Sequence, residues 1–558
     1  MHNSHMKMTG YPLIRLVGAL GLLAGTILLI PGASAQLINK PNRANFWHQD
    51  SPDIQGANEQ DDLLGYSSVS GDFNNDGYPD LAIGAPGESI GDLANAGSVH
   101  VIYGGATGLR AAGNQVWSQD TPGIGGEPEA GDHFGFSLAS GDFNGDGYDD
   151  LAIGSPHESV GAADEAGAVT IIHGGPGGLT AEGNQLFSQD TAGIEDSAEA
   201  GDYCASALAA GDFNRDGYAD LAIGCPLEGL TADSMGAVAV IYGSAAGLGV
   251  EGNQLWHQES PGIEGVGEVG DLFGFALAAG DFNNDGFSDL AIGVPHEAVG
   301  STSFAGAVNI IYGGMARLTS NNDQIWTQGE ADIEDTAEEG DQFGASLAVG
   351  DFNGDGFDDL AIGARDETVN AASLAGAVNV IYGAAGGLFS GGNQFWSQDS
   401  TGIVGAAELL DGFGWALGVG DFDNDGFDDL AVGSPNETIE GDVPIPHHAG
   451  AVNVIYGRPA GLGADGNQLF TQSNDGLEGD ADDSDNYGAS VTGADFDLDG
   501  FDDLAIGVSF DTVGDLFAAG SVNVLHGSRP DTLLSDLGRQ LRAMIAIQNI
   551  LALLNGLL

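Results

Sequence analysis

The sequence predicts an all-β protein, a seven-bladed β-propeller of four-stranded blades closed by an N-terminal outer strand, with a short C-terminal α-helix. Three observations predict it. The phrase Asp-Phe-Asn/Asp-x-Asp-Gly begins at Asp72, Asp142, Asp212, Asp281, Asp351, Asp421 and Asp495, at spacings of 70, 70, 69, 70, 70 and 74 residues. Each copy carries four strand-like pieces separated by Gly, Pro, Asn and Asp, which suits a propeller blade. An aromatic recurs at Trp47, Trp117, Phe187, Trp256, Trp326, Trp396 and Phe470, once before the first acidic loop and not after the last third strand, Ser521 to His526. The piece around Phe46-Trp47 is therefore expected to supply the outer strand of blade seven and shut the ring, pairing strand edges that would otherwise be open.

The second copy shows the reasoning for each element. Phe134 to Phe143 is a short apolar run with small residues, and Leu151 to Ser155 follows the acidic loop. Ala168 to His173 is apolar on both faces, as a covered strand requires. Asn184 to Gln189 carries the aromatic centre. Residues 36–530 are read as the propeller, and 531–558 as a separate amphipathic helix or tail with Leu533, Leu537, Leu541, Ile545 and Leu551 at helical spacing. Gln548, Asn549 and Asn555 interrupt that segment and argue against a membrane span. Residues 1–35 read as a signal peptide: Lys7 and Arg15, an apolar stretch from Leu16 to Ile30, then Ala33-Ser34-Ala35. An uncleaved anchor is the alternative. Export makes the expected location secreted or cell-surface, extracellular or periplasmic.

Composition bounds the function. Of 558 residues 42% are apolar, enough to build a core, and 94 are Gly, which suits many tight turns. There are 82 acids against 12 bases, a net charge of −70 that becomes −72 without residues 1–35. Nucleic-acid backbones and anionic membranes need Lys and Arg, so neither is an expected partner. Such a surface attracts cations.

The repeated loop says which. Asp72-Phe73-Asn74-Asn75-Asp76-Gly77-Tyr78-Pro79-Asp80 places oxygen side chains at positions 1, 3, 5 and 9, a backbone carbonyl at 7 and Gly at 6 for the turn. Calcium takes six to eight such oxygens. Position 12 is Ile83 rather than Glu, and the flanks are strand-like, so this is not an EF-hand and Asp80 is expected to close the site. The corresponding sets are Asp142, Asn144, Asp146, Tyr148 and Asp150; Asp212, Asn214, Asp216, Tyr218 and Asp220; and Asp281, Asn283, Asp285, Phe287 and Asp289. They continue with Asp351, Asn353, Asp355, Phe357 and Asp359; Asp421, Asp423, Asp425, Phe427 and Asp429; and Asp495, Asp497, Asp499, Phe501 and Asp503. An Asx-rich turn without metal is the alternative for one loop; seven copies favour up to seven Ca2+. The side-chain ligands supply 23 carboxylates, so seven Ca2+ would reduce −72 to −58.

Phe134-Gly135 and Gly84-Ala85-Pro86 are landmarks that resemble the FG-GAP repeat, the unit of the seven-bladed head of integrin α chains and of related bacterial secreted proteins. The resemblance covers about residues 45–527. Leu64-Gly65, Cys204-Ala205 and Tyr487-Gly488 depart from Phe-Gly, and Gly363-Ala364-Arg365 and Gly507-Val508-Ser509 from Gly-Ala-Pro. It implies calcium in nine-residue hairpin loops and a ligand-binding face opposite them.

On that opposite side a carboxylate precedes each first strand (Asp62, Asp132, Asp202, Asp271, Asp341, Asp411, Asp485) and another follows each second strand (Glu88, Glu158, Glu228, Glu297, Glu367, Glu437, Asp511). They read as hydrogen-bond acceptors in tight loops, or as a cation-attracting ring around the channel mouth. The variable loops Ile439 to His448 and Glu478 to Asn486 are candidates for partner contact. Cys204 and Cys225 are expected on adjacent antiparallel strands, as a disulfide or as two buried thiols rather than a catalytic pair. His157-Glu158 and His296-Glu297 lack a second His at zinc-protease spacing, and Gly135 to Ala139 lacks the last Gly of a nucleophile elbow. No enzyme is expected. The expected function is a monomeric propeller that binds an extracellular protein or glycan. The alternatives are a hydrolase or lyase using channel-mouth carboxylates and a calcium-assembled surface or matrix protein.

Overall fold

A computed structural model describes residues 37, 46–229, 235–329, 333–439, 447–473, 477, 479 and 481–528. The expectations for 1–35 and 531–558 lie outside the described residues. Seven four-stranded antiparallel sheets follow one another along the chain. Blade 1 consists of Ser67–Gly71, Asp80–Ala85, Ser98–Tyr103 and Arg110–Trp117, in sheet order equal to chain order. Blades 2 to 6 repeat it over residues 137–187, 207–256, 276–326, 343–396 and 417–470. Blade 7 has three strands of its own, Tyr487–Ala494, Asp503–Val508 and Ser521–Leu525, and takes its fourth from the start of the domain. Phe46 pairs with Asn523 and Trp47 with Val522, so the ring closes as the aromatic offset requires.

The second strand of every blade is buried along its whole length, in blade 1 as Asp-Leu-Ala-Ile-Gly-Ala. Covered on both faces, it reads as a continuous apolar run rather than an alternating one. The apolar clusters lie between blades: Val99 and Val101 of blade 1 pack with Leu151, Ile153 and Ile172 of blade 2. The Phe after each first loop aspartate, from Phe73 to Phe496, is fully buried.

The FG-GAP landmarks mark the same seam. A Cβ on Gly84 would lie 2.0 Å from the Gly135 carbonyl oxygen and 2.3 Å from Ser67 Oγ. Gly135 itself has φ +91°, a conformation open to glycine. Blade 2 thus rests its Phe-Gly turn directly on the backbone of blade 1, and Ser67 Oγ donates to the Gly135 carbonyl at 2.7 Å. Ser490 Oγ makes the equivalent bond to Gly65 at 2.9 Å across the closing seam.

Some boundaries differ from expectation. The first strand of blade 2 spans only Ser137–Gly141, because Phe134 to Phe136 form the turn just described. Its fourth strand, Thr180–Phe187, starts earlier than Asn184. Cys204 is not on a strand. It lies in the turn before Ala207–Gly211, while Cys225 ends Asp220–Cys225, and a disulfide joins them. The Cys204-Ala205 turn, which stands where other blades have Phe-Gly, folds back onto the second strand, where Ser206 N donates to the Gly224 carbonyl at 3.3 Å, and this brings the two sulfurs together. Blade 6 adds a short ribbon, Thr438–Ile439 with His447–His448.

Candidate metal centres

Each acidic loop joins the first and second strands of its blade, so both ends of the donor set are anchored by the ladder. In blade 1 Gly71 pairs with Asp80. The first aspartate organises the turn: Asp72 Oδ1 accepts from Asp76 N at 3.1 Å and Oδ2 from Gly77 N at 2.9 Å. Asp76 Oδ1 accepts from Tyr78 N at 3.1 Å. Asp80, fully buried, accepts from Phe73 N at 3.1 Å and from Gly104 N at 2.9 Å. The same bonds recur around Asp142, Asp212, Asp281, Asp351 and Asp421. Asp495 repeats them with Asp499 N and Gly500 N. In all seven loops the first aspartate thus accepts from the backbone of the turn. The donor set suits a hard divalent cation, and in blades 6 and 7 the oxygens of Asp421, Asp423 and Asp425 and of Asp495, Asp497 and Asp499 lie within 4.8 Å of one another. Asp423 Oδ1 is buried and receives no hydrogen bond.

Burial drives the closing carboxyl upward. Asp80, Asp220, Asp289 and Asp359 are raised to about 8 and Asp429 to about 9, by desolvation first, with the other loop acids adding to it. A cation among them would reverse that repulsion.

Position 3 differs from expectation in five loops. Asn74, Asn144, Asn214, Asn283 and Asn353 direct Nδ2, not the oxygen, toward the closing aspartate at 3.2 to 3.5 Å. A buried carboxylate attracts the N–H end of the amide; turning the amide over presents its oxygen. Among the described residues, the acids of two loops pair with an arginine from outside the loop: Arg110 lies 3.1 Å from Asp76, and Arg458 lies 2.8 Å from Asp425 and 3.5 Å from Asp423.

Position 8 was not singled out from the sequence, yet it links loop to loop. Asp149 Oδ2 accepts from Asp72 N of the preceding blade at 2.8 Å, and Asp358, Asp428 and Asp502 do the same for Asp281, Asp351 and Asp421 at 2.7, 2.8 and 2.9 Å. The Asp-Asp doublet ending these loops is its visible signal.

The opposite carboxylates are buried, except for half-buried Glu88 and Glu158, and do not form an exposed ring. Asp62 is 0% exposed and accepts from Glu59 N. Glu88 accepts from Gln49 Nε2, and Gln49 follows the outer strand of the preceding blade. The six glutamates share this clamp, through Gln49, Gln119, Gln189, Gln258, Gln328 and Gln398. These acids stitch blades together, and the sequence expectation of tight-loop acceptors describes the aspartates. The two candidate partner loops meet there: His448 N donates to Asp483 Oδ1 at 3.2 Å, and Ser484 N to the His448 carbonyl.

Six segments match the FG-GAP repeat: 64–102, 134–172, 205–241, 273–310, 343–380 and 413–453. The chain is an FG-GAP repeat protein. Among curated relatives, this FG-GAP protein is 32% identical to Integrin alpha-PS2 of Drosophila melanogaster over 271 residues, 47% of this chain and 17% of that one. It is 30% identical to Integrin alpha pat-2 of Caenorhabditis elegans over 263 residues, 44% of this chain and 18% of the other. It is 35% identical to Phosphatidylinositol-glycan-specific phospholipase D of Bos taurus over 189 residues, 33% and 21%. The chain spans about a fifth of the length of each of these relatives. Its likeness to the integrin α propeller is one of repeat and fold.

Proposed function

We infer that this is a secreted calcium-binding propeller, a ligand-binding or adhesion module in which Ca2+ sits in the seven hairpin loops as a structural ion. The observation that carries the reading is the acidic loop repeated seven times between two strands, each copy ending on a fully buried aspartate. Asp72 and its equivalents organise the turn, Asp76 and Asn74 flank the centre, and Asp80 closes it; the ion would supply positive charge that binds these oxygens together. Calcium bound only by the folded loop stabilises the fold by mass action. The signal-like residues 1–35 and the integrin α relatives support export; a partner is proposed to be an extracellular protein or glycan. The linked loops around His448 and Asp483 are the candidate contact surface.

Extracellular sites of this kind bind at about 10⁻⁴–10⁻³ M. Chelation is therefore expected to lower the melting temperature, and excess Ca2+ to restore it. An unchanged melting temperature removes the structural role. Capture of a protein or glycan by the calcium-loaded chain, without turnover, supports the module. Because one relative is named a phospholipase D, a phosphoester panel belongs in the same experiment, and product release would favour an enzyme.

A further inference from the structure

The seven centres are not alike. At the end of the third strand five blades carry Tyr103, Tyr242, Tyr312, Tyr382 and Tyr456, whose hydroxyls turn away to Gln115, Gln254, Gln324, Gln394 and Gln468. Blades 2 and 7 carry His173 and His526 there. Each imidazole is directed at its closing aspartate: His173 Nδ1 is 3.1 Å from Asp150 Oδ2, and His526 Nδ1 is 3.0 Å from Asp503 Oδ2. In blade 7 the donor atoms of Asp497, Asp503 and His526 all fall within 4.8 Å of one another, and all three side chains are buried.

We propose that the hairpins of blades 2 and 7 are mixed nitrogen–oxygen centres that select a first-row divalent ion such as Zn2+, Mn2+ or Co2+ over Ca2+. The inference rests on the reading of the loops as metal sites and deepens it. Oxygen-only loops favour calcium, whereas an imidazole donor favours first-row transition ions.

The test is Co2+ uptake by the full chain in excess Ca2+, read by metal analysis and visible absorption, for the parent, His173→Tyr, His526→Tyr and the double variant. Tyr is the residue of the other five blades, so the fold is expected to tolerate it. The expected result is a loss of about one Co2+ in each single variant and about two in the double, with Ca2+ taking the vacated loops. Equal Co2+ uptake in parent and double variant overturns the proposal and leaves a His–Asp hydrogen bond beside an oxygen-only loop. Failure of the calcium reading looks different: the five tyrosine-type loops would then hold no Ca2+, whatever the two histidine loops bind.

Discussion

At the scale of single residues, one buried base stands out. His100 of blade 1 is 3% exposed, and burial lowers its pKa to about 4. Its Nε2 lies 3.2 Å from Gln49 Nε2. In four other blades the same register position is Asn309, Asn379, Asn453 or Asn523. The unfolded chain protonates its histidine near 6.5 and the folded chain only near 4. The neutral imidazole's stability is therefore present above 6.5 and is lost as pH falls through that window. His100→Asn removes the loss, so the variant should gain up to about 3 kcal/mol on its parent between neutrality and pH 4, measured by urea unfolding at each pH. Gly84 is a stricter case. Its Cβ would meet the Gly135 carbonyl at 2.0 Å, so Gly84→Ala has to move a blade and should destabilise by about 3 kcal/mol or more, seen as a fall in urea midpoint.

At the scale of elements, the acidic hairpins were legible because a repeated donor pattern leaves a repeated sequence. Asp72 to Asp80 could be placed between two strands before any geometry was known. Other parts of the same loops were less legible. The orientation of the Asn74 amide depends on which end the buried Asp80 attracts, and sequence spacing carries no such information. The bond from Asp149 to Asp72 joins residues 77 apart, a relation that exists only once neighbouring blades are packed. The carboxylates at Asp62 and Glu88 were visible as a pattern, but the bond from Gln49 to Glu88 was not, because that clamp comes from the previous blade. Asp428→Ala tests the loop-to-loop link. It leaves the Asp351 N–H without its carboxylate partner and should cost about 1–3 kcal/mol in the Ca2+-loaded protein, read as a lower urea midpoint. Ala219 in blade 3 shows that alanine fits at this position.

At the scale of the whole molecule, the ring is closed by the opening strand: among the described residues, Phe46 and Trp47 pair with the third strand of blade 7. Trp47 packs with Val522 and Val524 of blade 7 and with Leu81 and Ile83 of blade 1. That closure was readable in the sequence from the offset of the aromatic series alone. The strand also imposes an order on synthesis. Trp47 leaves the ribosome 474 residues before Ser521, the start of the strand that receives it. At about 5–20 residues per second the interval is roughly 25 to 95 s. Six nascent blades can stack during that wait, but Phe46-Trp47 has no seat until the third strand of the seventh is made, so a late step of translation fixes where this early dipeptide comes to rest.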